Sequence, residues 1–345
     1  MCTPINRYIE EYNKKLISSL DRTSYSLGLA DGKMGLSIYF YAMGEWCGNK
    51  EYIEYAKKLL DDVCRNASNI QTIDVKSGLA GIGLGIHYLI THKYVAGNIN
   101  VVLKDVDGFI FKYLSYDIGT LDSVTLMHVL YYLNLRLKDQ SPASESEYLY
   151  QELIIKSLNK VCEEIDVEFF EEPFLYHIDY KLPLLLRLLS EIYNQKFYNY
   201  RVVQIVRELS YKVLSSYPLL HVNRLFLLWG MISLEPIVME KKPWIEHMRL
   251  LKNGLSFDSI FHNEVKNGHI FFQNGVTSIY WMTKSLDVIF SNQEIDVIRK
   301  NIFSKIESSY QWKVMADNDQ YFNNYSGLMT GFGFVSMLYS QYGKM

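Results

Sequence analysis

One stretch decides the fold, because closely spaced glycines run directly into an apolar segment in GLAGIGLGIHYL at residues 78–89. The pattern occurs again in GLADGKMGLSIYF at 28–40, in NGVTSIYW at 274–281 and in SGLMTGFGF at 326–334. Three copies that have lost most of their glycines open at Tyr116-Asp117, at Tyr176-His177 and at His221. The seven copies begin roughly 40 to 60 residues apart, a spacing that indicates a repeat of two helices joined by loops.

Amphipathic segments lie between the copies, at residues 5–20, 51–65, 145–165, 202–214 and 294–306. A helix that is apolar all round must be buried on every side, whereas an amphipathic helix buries one face. The sequence therefore predicts an all-α fold, an α/α toroid with about seven inner and seven outer helices, forming a single domain over residues 1–345. Strand patterns are weak, and only the stretch 257–272 indicates a short hairpin.

Composition excludes several classes of protein. The chain has 345 residues, is 49% hydrophobic and carries a formal charge of −3 without a basic stripe, so it predicts no nucleic-acid partner. Cys2, Cys47, Cys64 and Cys162 are widely spaced, which predicts reduced thiols, and Cys64 and Cys162 are expected to be small buried side chains. No apolar signal-peptide core and no membrane span are recognisable, so a cytoplasmic location is predicted.

Seven helical hairpins with glycine pairs such as Gly32/Gly35, Gly78/Gly81 and Gly327/Gly331 resemble the lanthionine synthetase C-like (LanC-like) family. Its members are α/α toroids that close thioether rings by adding peptide cysteines to dehydrated Ser or Thr. The resemblance implies a role in lanthipeptide-type peptide maturation, with a peptide substrate or precursor peptide. It also implies a modification enzyme, encoded nearby, as a further partner.

The family holds a catalytic zinc ion with two cysteines and a histidine, and the resemblance places Gln273 and Asn274 at the Cys-His pair. The remaining cysteine position falls near Leu225, in a repeat without cysteine. Amide and aliphatic side chains do not replace thiolate and imidazole ligands of zinc. Cys47, in Trp-Cys-Gly at 46–48, follows an inner helix and is expected at the opposite rim. We therefore expect no metal and no cofactor.

Two catalytic positions of the family persist, since Asp117 aligns with its catalytic aspartate and His177 with its catalytic histidine. A carboxylate beside an imidazole suits general acid/base catalysis. Each residue also has a structural interpretation, Asp117 as a helix N-cap and His177 as a histidine held near a helix start. His87 and His128, which fall within helices, are interpreted as core residues.

If all inner helices open on one rim, Asp117 and His177 should be adjacent there, with His221 and Asn274 nearby. Helix N-termini at such a rim favour anionic groups. Asp122, Asn223 and Thr330 also belong to the predicted rim. The residues predicted to contact a substrate are Asp31, Lys33, Asp179, His221, Arg224, Gln273 and Asn274.

Three functions are compatible with this pattern. The first is a cyclase-like peptide-processing enzyme that works without zinc through Asp117 and His177. The second is a degenerate, non-catalytic protein that binds a peptide or serves as a scaffold for a partner. The third is a glycan-active α/α toroid, which would use a pair among Asp31, Asp117, Asp122 and Asp179.

Overall fold

The computed structural model describes residues 4–20, 24–266 and 268–342, and these residues are largely helical and contain no β-strand. None of the described helices is long and apolar enough to cross a membrane. The α-helices are α1 Pro4–Leu20, α2 Lys33–Cys47, α3 Lys50–Asn66, α4 Leu79–Thr91, α5 Ile99–Val102, α6 Lys104–Tyr116, α7 Ser123–Lys138, α8 Glu145–Glu163, α9 Lys181–Asn194, α10 Asn199–Ser215, α11 His221–Leu234, α12 Lys241–Asn253, α13 Phe257–Ser259, α14 Val276–Thr283, α15 Asn292–Glu307, α16 Gln311–Asp317, α17 Asp319–Asn324 and α18 Phe332–Tyr342.

The hairpin expected at 257–272 is wrong in the part of this stretch that the structure describes. It contains α13 followed by a π-helical turn, Ile260–Glu264. Ile260 and Phe261 are buried side by side, which suits a helical turn and not the alternating faces of a strand. Asn267, within the same stretch, lies outside the described residues.

The chain divides into two compact units. Unit 1 comprises Met1–Asp107, Val265–Trp281 and Asp296–Met345, and it contains all four glycine-rich repeats. Unit 2 comprises Gly108–Glu264 and Met282–Ile295, and it contains the three repeats that have lost their glycines. A single domain over 1–345 stays a prediction.

Unit 1 confirms the alternation of apolar and amphipathic helices. In α2 every residue from Met34 to Gly44 is buried, whereas α3 buries only Ala56, Leu59 and Val63. Helix α2 packs against α3, α4 and α18. An apolar helix surrounded by three others loses its whole side-chain surface to the core, as its sequence requires.

Unit 2 repeats this arrangement around α9. Helix α9 packs against α7 and α11, which precede and follow it in the series of apolar helices. The amphipathic helices lie against these, α8 on α7, α10 on α9 and α12 on α11. Successive apolar helices of unit 2 are therefore neighbours in space.

The glycine-rich repeats of unit 1 share one opening loop. The first N–H of each apolar helix donates a hydrogen bond to the carbonyl oxygen seven residues earlier, so that the loop packs against the helix. These bonds run from Lys33 to Ser26 at 2.8 Å, from Leu79 to Thr72 at 3.0 Å, from Val276 to His269 at 3.1 Å and from Phe332 to Tyr325 at 2.9 Å.

A glycine makes this loop possible in each case. A Cβ at Gly35, Gly81, Gly275 or Gly331 would overlap the backbone carbonyl of the residue six positions earlier. The requirement is for space and not for a left-handed backbone, because Gly48 alone among the described glycines has a positive φ. The glycine clusters are therefore packing positions that let a loop lie directly against its own helix.

Candidate functional site

Asp117 lies in unit 2 between the end of α6 and a short 3-10 turn, Ile118–Thr120. Its backbone N–H donates to the Tyr113 carbonyl at 2.7 Å, and its own carbonyl accepts from Thr120. Its carboxylate is exposed, makes no capping hydrogen bond and has no hydrogen-bond or ion-pair partner within the described residues. The interpretation of its side chain as a helix N-cap is therefore wrong.

Asp122 is the residue that caps α7. Its Oδ1 accepts the N–H groups of Val124 and Thr125 at 3.0 Å each, and its Oδ2 accepts the Thr125 hydroxyl at 2.6 Å. Partial burial raises the pKa of Asp122, but the hydrogen bonds from Thr125 and Val124 outweigh it and leave the pKa below its ordinary value. Helix α7, whose repeat lacks the glycine-rich opening loop, is thus capped at its N-terminus by a carboxylate.

His177 lies in the segment that leads into α9, together with Asp179 and with His128 of α7. The Asp179 carboxylate lies between the two imidazoles, with Oδ2 3.5 Å from His177 Nδ1 and Oδ1 3.4 Å from His128 Nε2. All three side chains are half-buried. The interpretation of His128 as a core residue is therefore wrong, and two site residues predicted separately, His177 and Asp179, are in contact.

The backbone favours one tautomer of the neutral His177 ring. The Asp179 N–H donates to His177 Nδ1 at 3.1 Å, so Nδ1 acts as an acceptor. The neutral ring then carries its proton on Nε2. His177 is consequently arranged as a hydrogen-bond donor through Nε2, and its basic nitrogen faces its own backbone.

A cleft of about 300 Å³ contains this histidine. Tyr180, at the start of α9, contributes a hydroxyl that is buried and makes no hydrogen bond of normal geometry within the part of the chain described. Burial raises the pKa of Tyr180 to about 12, against a smaller lowering by Ser216. The residues that line the cleft are Glu168, Glu171, Glu172, Pro173, His177, Asp179, Tyr180 and Lys181.

Two glutamates occupy the N-terminus of α11. Glu172 accepts the N–H of Leu219, and Glu264 accepts the N–H groups of His221 and Val222 at 2.8 Å each. Free N–H groups at a helix start attract anions. Here the chain's own carboxylates take that place, so this helix start is not open to an anionic ligand.

His221 and Arg224 are bound to the backbone around this helix start. The Arg224 guanidinium donates to the carbonyls of Pro218 at 2.6 Å, Leu219 at 3.0 Å and Gly254 at 2.7 Å. It also lies 4.4 Å from the centre of the Tyr217 ring. His221 Nδ1 is 3.0 Å from the Gly254 oxygen. Both side chains therefore stabilise the backbone at the start of α11. Their role in binding a substrate stays a prediction.

The predicted site residues of unit 1 are placed as follows. Asp31 accepts a hydrogen bond from the Thr330 hydroxyl, and Lys33 forms an ion pair with Asp62. Gln273 and Asn274 lie half-buried in the turn before α14, and their side chains have no hydrogen-bond partner within the described residues. They stay predicted contacts.

The donor set does not fit the zinc ion of the LanC-like family. Leu225 is fully buried and aliphatic, and Gln273 and Asn274 offer only amides, which are poor zinc ligands. Within the described residues no cluster of three His, Cys, Asp or Glu side chains could hold a metal ion. Cys64 is exposed and not buried as expected. Desolvation and Asp61 raise the pKa of Cys64, and burial raises that of Cys162 to about 11, so neither is a ready thiolate.

These observations define a class of protein, a helical-hairpin repeat chain with a polar cleft at the start of an apolar helix. The solved structure named "Nisin cyclase" is similar to this chain, with a TM-score of 0.63 over 98% of this chain and 94% of that one, at 11% sequence identity. No family model and no curated protein sequence matches. The likeness confirms the LanC-like, all-α toroid fold class predicted from the sequence, and at this identity it shows the fold alone.

Several site residues were not found from the sequence. His128 sits in the middle of a helix. Glu172 lies in a loop and Glu264 at the end of a π-helical turn, and both are far from the start of α11 in the chain. The sequence feature that comes nearest to indicating this site is the Glu172-Pro173 pair shortly before His177, in which a carboxylate precedes a conformationally restricted proline. Neither the pairing of Asp179 with His128 nor the capping by Glu264 follows from spacing, because each joins separate elements.

Proposed function

We propose that this chain is a LanC-like protein of peptide maturation that binds a peptide at the His177 cleft and works without zinc. The observation that carries the proposal is the cleft itself, in which the His177 imidazole and a buried Tyr180 hydroxyl stand together in a chain of this fold. A location in the cytoplasm and a modification enzyme as partner belong to the same proposal.

The chemistry of the cleft suits a peptide. His177 contributes an imidazole, Tyr180 a phenol at the wall of the cleft, and Glu168 and Glu171 exposed carboxylates. A peptide backbone presents both carbonyl acceptors and N–H donors. Exposed apolar side chains at Phe174 and Leu175, beside the cleft residues in sequence, supply the area that polar contacts alone lack.

A catalytic role is the second candidate, and the contact between His177 and Asp179 is the observation in its favour. In thioether closure the cysteine sulfur bonds to the β-carbon of a dehydrated residue, and the thiol proton ends on the α-carbon, with no co-reactant. A base must take that proton first. Because His177 Nδ1 already accepts the Asp179 N–H, the geometry favours the non-catalytic binder.

A glycan-active function has no support from the four aspartates considered for it. Asp122 caps a helix and its pKa is lowered, which makes it a poor proton donor near neutral pH. Asp179 lies between two histidines, Asp31 is hydrogen-bonded to Thr330, and the exposed Asp117 has no hydrogen-bond or ion-pair partner within the described residues. We therefore do not carry this alternative further.

The test uses a synthetic peptide with one dehydroalanine and one cysteine, a fluorescein-labelled copy of it, and the full chain. Fluorescence anisotropy of the labelled copy measures binding. The fraction of thiol that still reacts with N-ethylmaleimide, measured by mass spectrometry, reports thioether closure. We expect anisotropy to rise with protein concentration and His177→Gln to weaken binding, with His262→Gln, an exposed histidine outside the cleft, as the matched control.

The two candidates separate in the same experiment. A binder leaves the rate of thiol loss unchanged, whereas an enzyme accelerates it, and His177→Gln would then slow it by about 100-fold. If neither anisotropy nor thiol loss responds to the protein, the proposed function is wrong.

A further inference from the structure

We propose that the peptide taken by the His177 cleft presents a basic side chain next to large apolar side chains. The inference rests on the proposed function, because it assumes that a peptide binds there, and it specifies which chemistry the peptide must have.

Charge is the first observation. Four carboxylates line the cleft, those of Glu168, Glu171, Glu172 and Asp179, against one lysine, Lys181. Glu172 is engaged at the start of α11 and Asp179 lies between two histidines. Glu168 and Glu171 are exposed and have no ion pair within the described residues. A cationic side chain would be attracted to this lining, and an anionic one would be repelled.

The buried phenol of Tyr180 is the second observation and is independent of charge. Its side chain lines the cleft but is only 3% exposed, and its oxygen makes no hydrogen bond of normal geometry within the described part of the chain, although the Ser216 side chain lies close enough to lower its pKa. A buried polar group without a partner costs stability. An ammonium or guanidinium group in the cleft would supply the missing partner, since the phenol oxygen can accept its N–H.

Exposed apolar residues beside the cleft are the third observation. Phe174 is 100% exposed and Leu175 66%, in the segment between Pro173 and His177, and Leu219 is 81% exposed. Glu172 accepts the Leu219 N–H, and the Asn223 side-chain amide donates to Glu172 at 3.0 Å and to the Pro173 carbonyl at 3.1 Å. Hydrogen bonds thus connect the segment that carries Phe174 to the segment that carries Leu219.

A partner with both features fits this surface. Large apolar side chains that stay exposed on a loop held in place by hydrogen bonds indicate an interaction surface. The carboxylates beside them favour a partner that carries a cationic side chain next to its apolar ones. The same carboxylates repel an anionic lipid surface, so the occupant to which we commit is a basic, apolar peptide segment.

The experiment measures the dissociation constants of fluorescein-labelled peptides by anisotropy with the full chain. The probe is a short peptide rich in Lys, Phe and Leu. Two relatives carry Glu in place of Lys, or Ser in place of Phe and Leu. The protein variants are Glu168→Gln/Glu171→Gln and Phe174→Ser, and circular dichroism verifies that each is folded.

Matched controls remove the same groups elsewhere in unit 2. Glu152→Gln/Glu246→Gln neutralises two exposed carboxylates of the outer helices α8 and α12, and Met239→Ser removes an apolar side chain that is 68% exposed. None of these three residues lines the cleft.

We expect the Lys-, Phe- and Leu-rich probe to bind more tightly than both relatives. The double Glu→Gln variant should weaken it about fivefold at low salt, and the difference should shrink as salt is raised. Phe174→Ser should weaken it about tenfold, and the controls should not. If the acidic relative binds as tightly as the probe, peptide binding stands and the basic preference is wrong. If no peptide binds, the proposed function falls as well.

Discussion

The Asp179 N–H donates to His177 Nδ1 at 3.1 Å, while the Asp179 carboxylate lies 3.5 Å from the same nitrogen. One residue therefore contacts Nδ1 twice, and its N–H, not its carboxylate, is the contact that favours the neutral tautomer with the proton on Nε2. Within the described residues Asp179, and not Asp117, is the carboxylate in contact with this histidine. The paired catalytic role of Asp117 and His177 stays a prediction, but the immediate environment of His177 is set by its own loop.

Replacement of Gly81 by alanine should destabilise the protein. The new Cβ would overlap the Val75 carbonyl, so the opening loop of α4 would have to move. We expect Gly81→Ala to lower the free energy of unfolding by about 2–3 kcal/mol, as overpacking does, measured by urea denaturation. Gly108→Ala is the matched control: its Cβ would meet no atom within 4 Å in helix α6, so it should raise stability by about 0.5–1 kcal/mol. Equal losses for both would contradict the steric account.

Asp122→Ala should remove the cap of α7 and cost about 1 kcal/mol at pH 7. Asp117→Ala should change stability by less than about 0.5 kcal/mol, because its carboxylate caps no helix. Chemical denaturation of both variants checks the assignment. A larger loss of unfolding free energy for Asp117→Ala than for Asp122→Ala would show that the cap of α7 was assigned to the wrong residue.

The cost of Asp122→Ala should depend on pH. Because hydrogen bonds hold the pKa of Asp122 below its ordinary value of 3.8, the folded protein binds this proton less readily than the unfolded chain. The stabilisation is therefore complete above the unfolded pKa and is lost as pH falls through it toward the folded pKa. The difference between wild type and variant should shrink in that acid range, and a constant difference would contradict the ionised cap.

Glu264→Ala should destabilise the opening of α11. It would leave the N–H groups of His221 and Val222 without the carboxylate that now accepts them at 2.8 Å. We expect a loss of about 2–3 kcal/mol, typical of hydrogen bonds to a charged group. Glu246→Gln, an exposed glutamate of α12, should change stability by less than about 0.5 kcal/mol. Similar thermal denaturation curves for the two variants would refute this role of Glu264.

The sequence predicted the helices well because the periodicity of buried and exposed residues along a helix is visible in the sequence. The amphipathic segments expected at 51–65 and 294–306 appear as Lys50–Asn66 and Asn292–Glu307. The glycine clusters were recognisable because each one serves a loop a few residues away. Local requirements of this kind are visible in a single sequence.

The site was less predictable because its contacts join distant elements. Asp179 meets His128 of α7, and Glu264 reaches the start of α11 from a π-helical turn. In unit 2, where the repeats lack these glycines, no sequence pattern shows which residues cap the helices instead. Carboxylates took over the capping of α7 and α11, and only the three-dimensional arrangement shows which ones.

Elemental analysis should find far less than one zinc per chain in protein purified without chelators. The reason is the chemistry of Leu225, Gln273 and Asn274, which offer no thiolate or imidazole. Addition of zinc should also leave the melting temperature unchanged, because a metal that binds the folded state raises it. One tightly held zinc per chain, lost on replacing Cys47, Cys64 or Cys162, would restore the metalloenzyme interpretation.

Hydrogen–deuterium exchange of the full chain tests the central claim most directly, with and without a saturating amount of the Lys-, Phe- and Leu-rich probe peptide. A peptide bound at the His177 cleft should slow exchange at the backbone amides of residues 168–181, and at 217–223, to which Glu172 connects them. Helix α3, which lies in unit 1, should exchange as before. Protection of residues 168–181 is the result that we expect, and unchanged exchange there while the probe is bound would contradict the account.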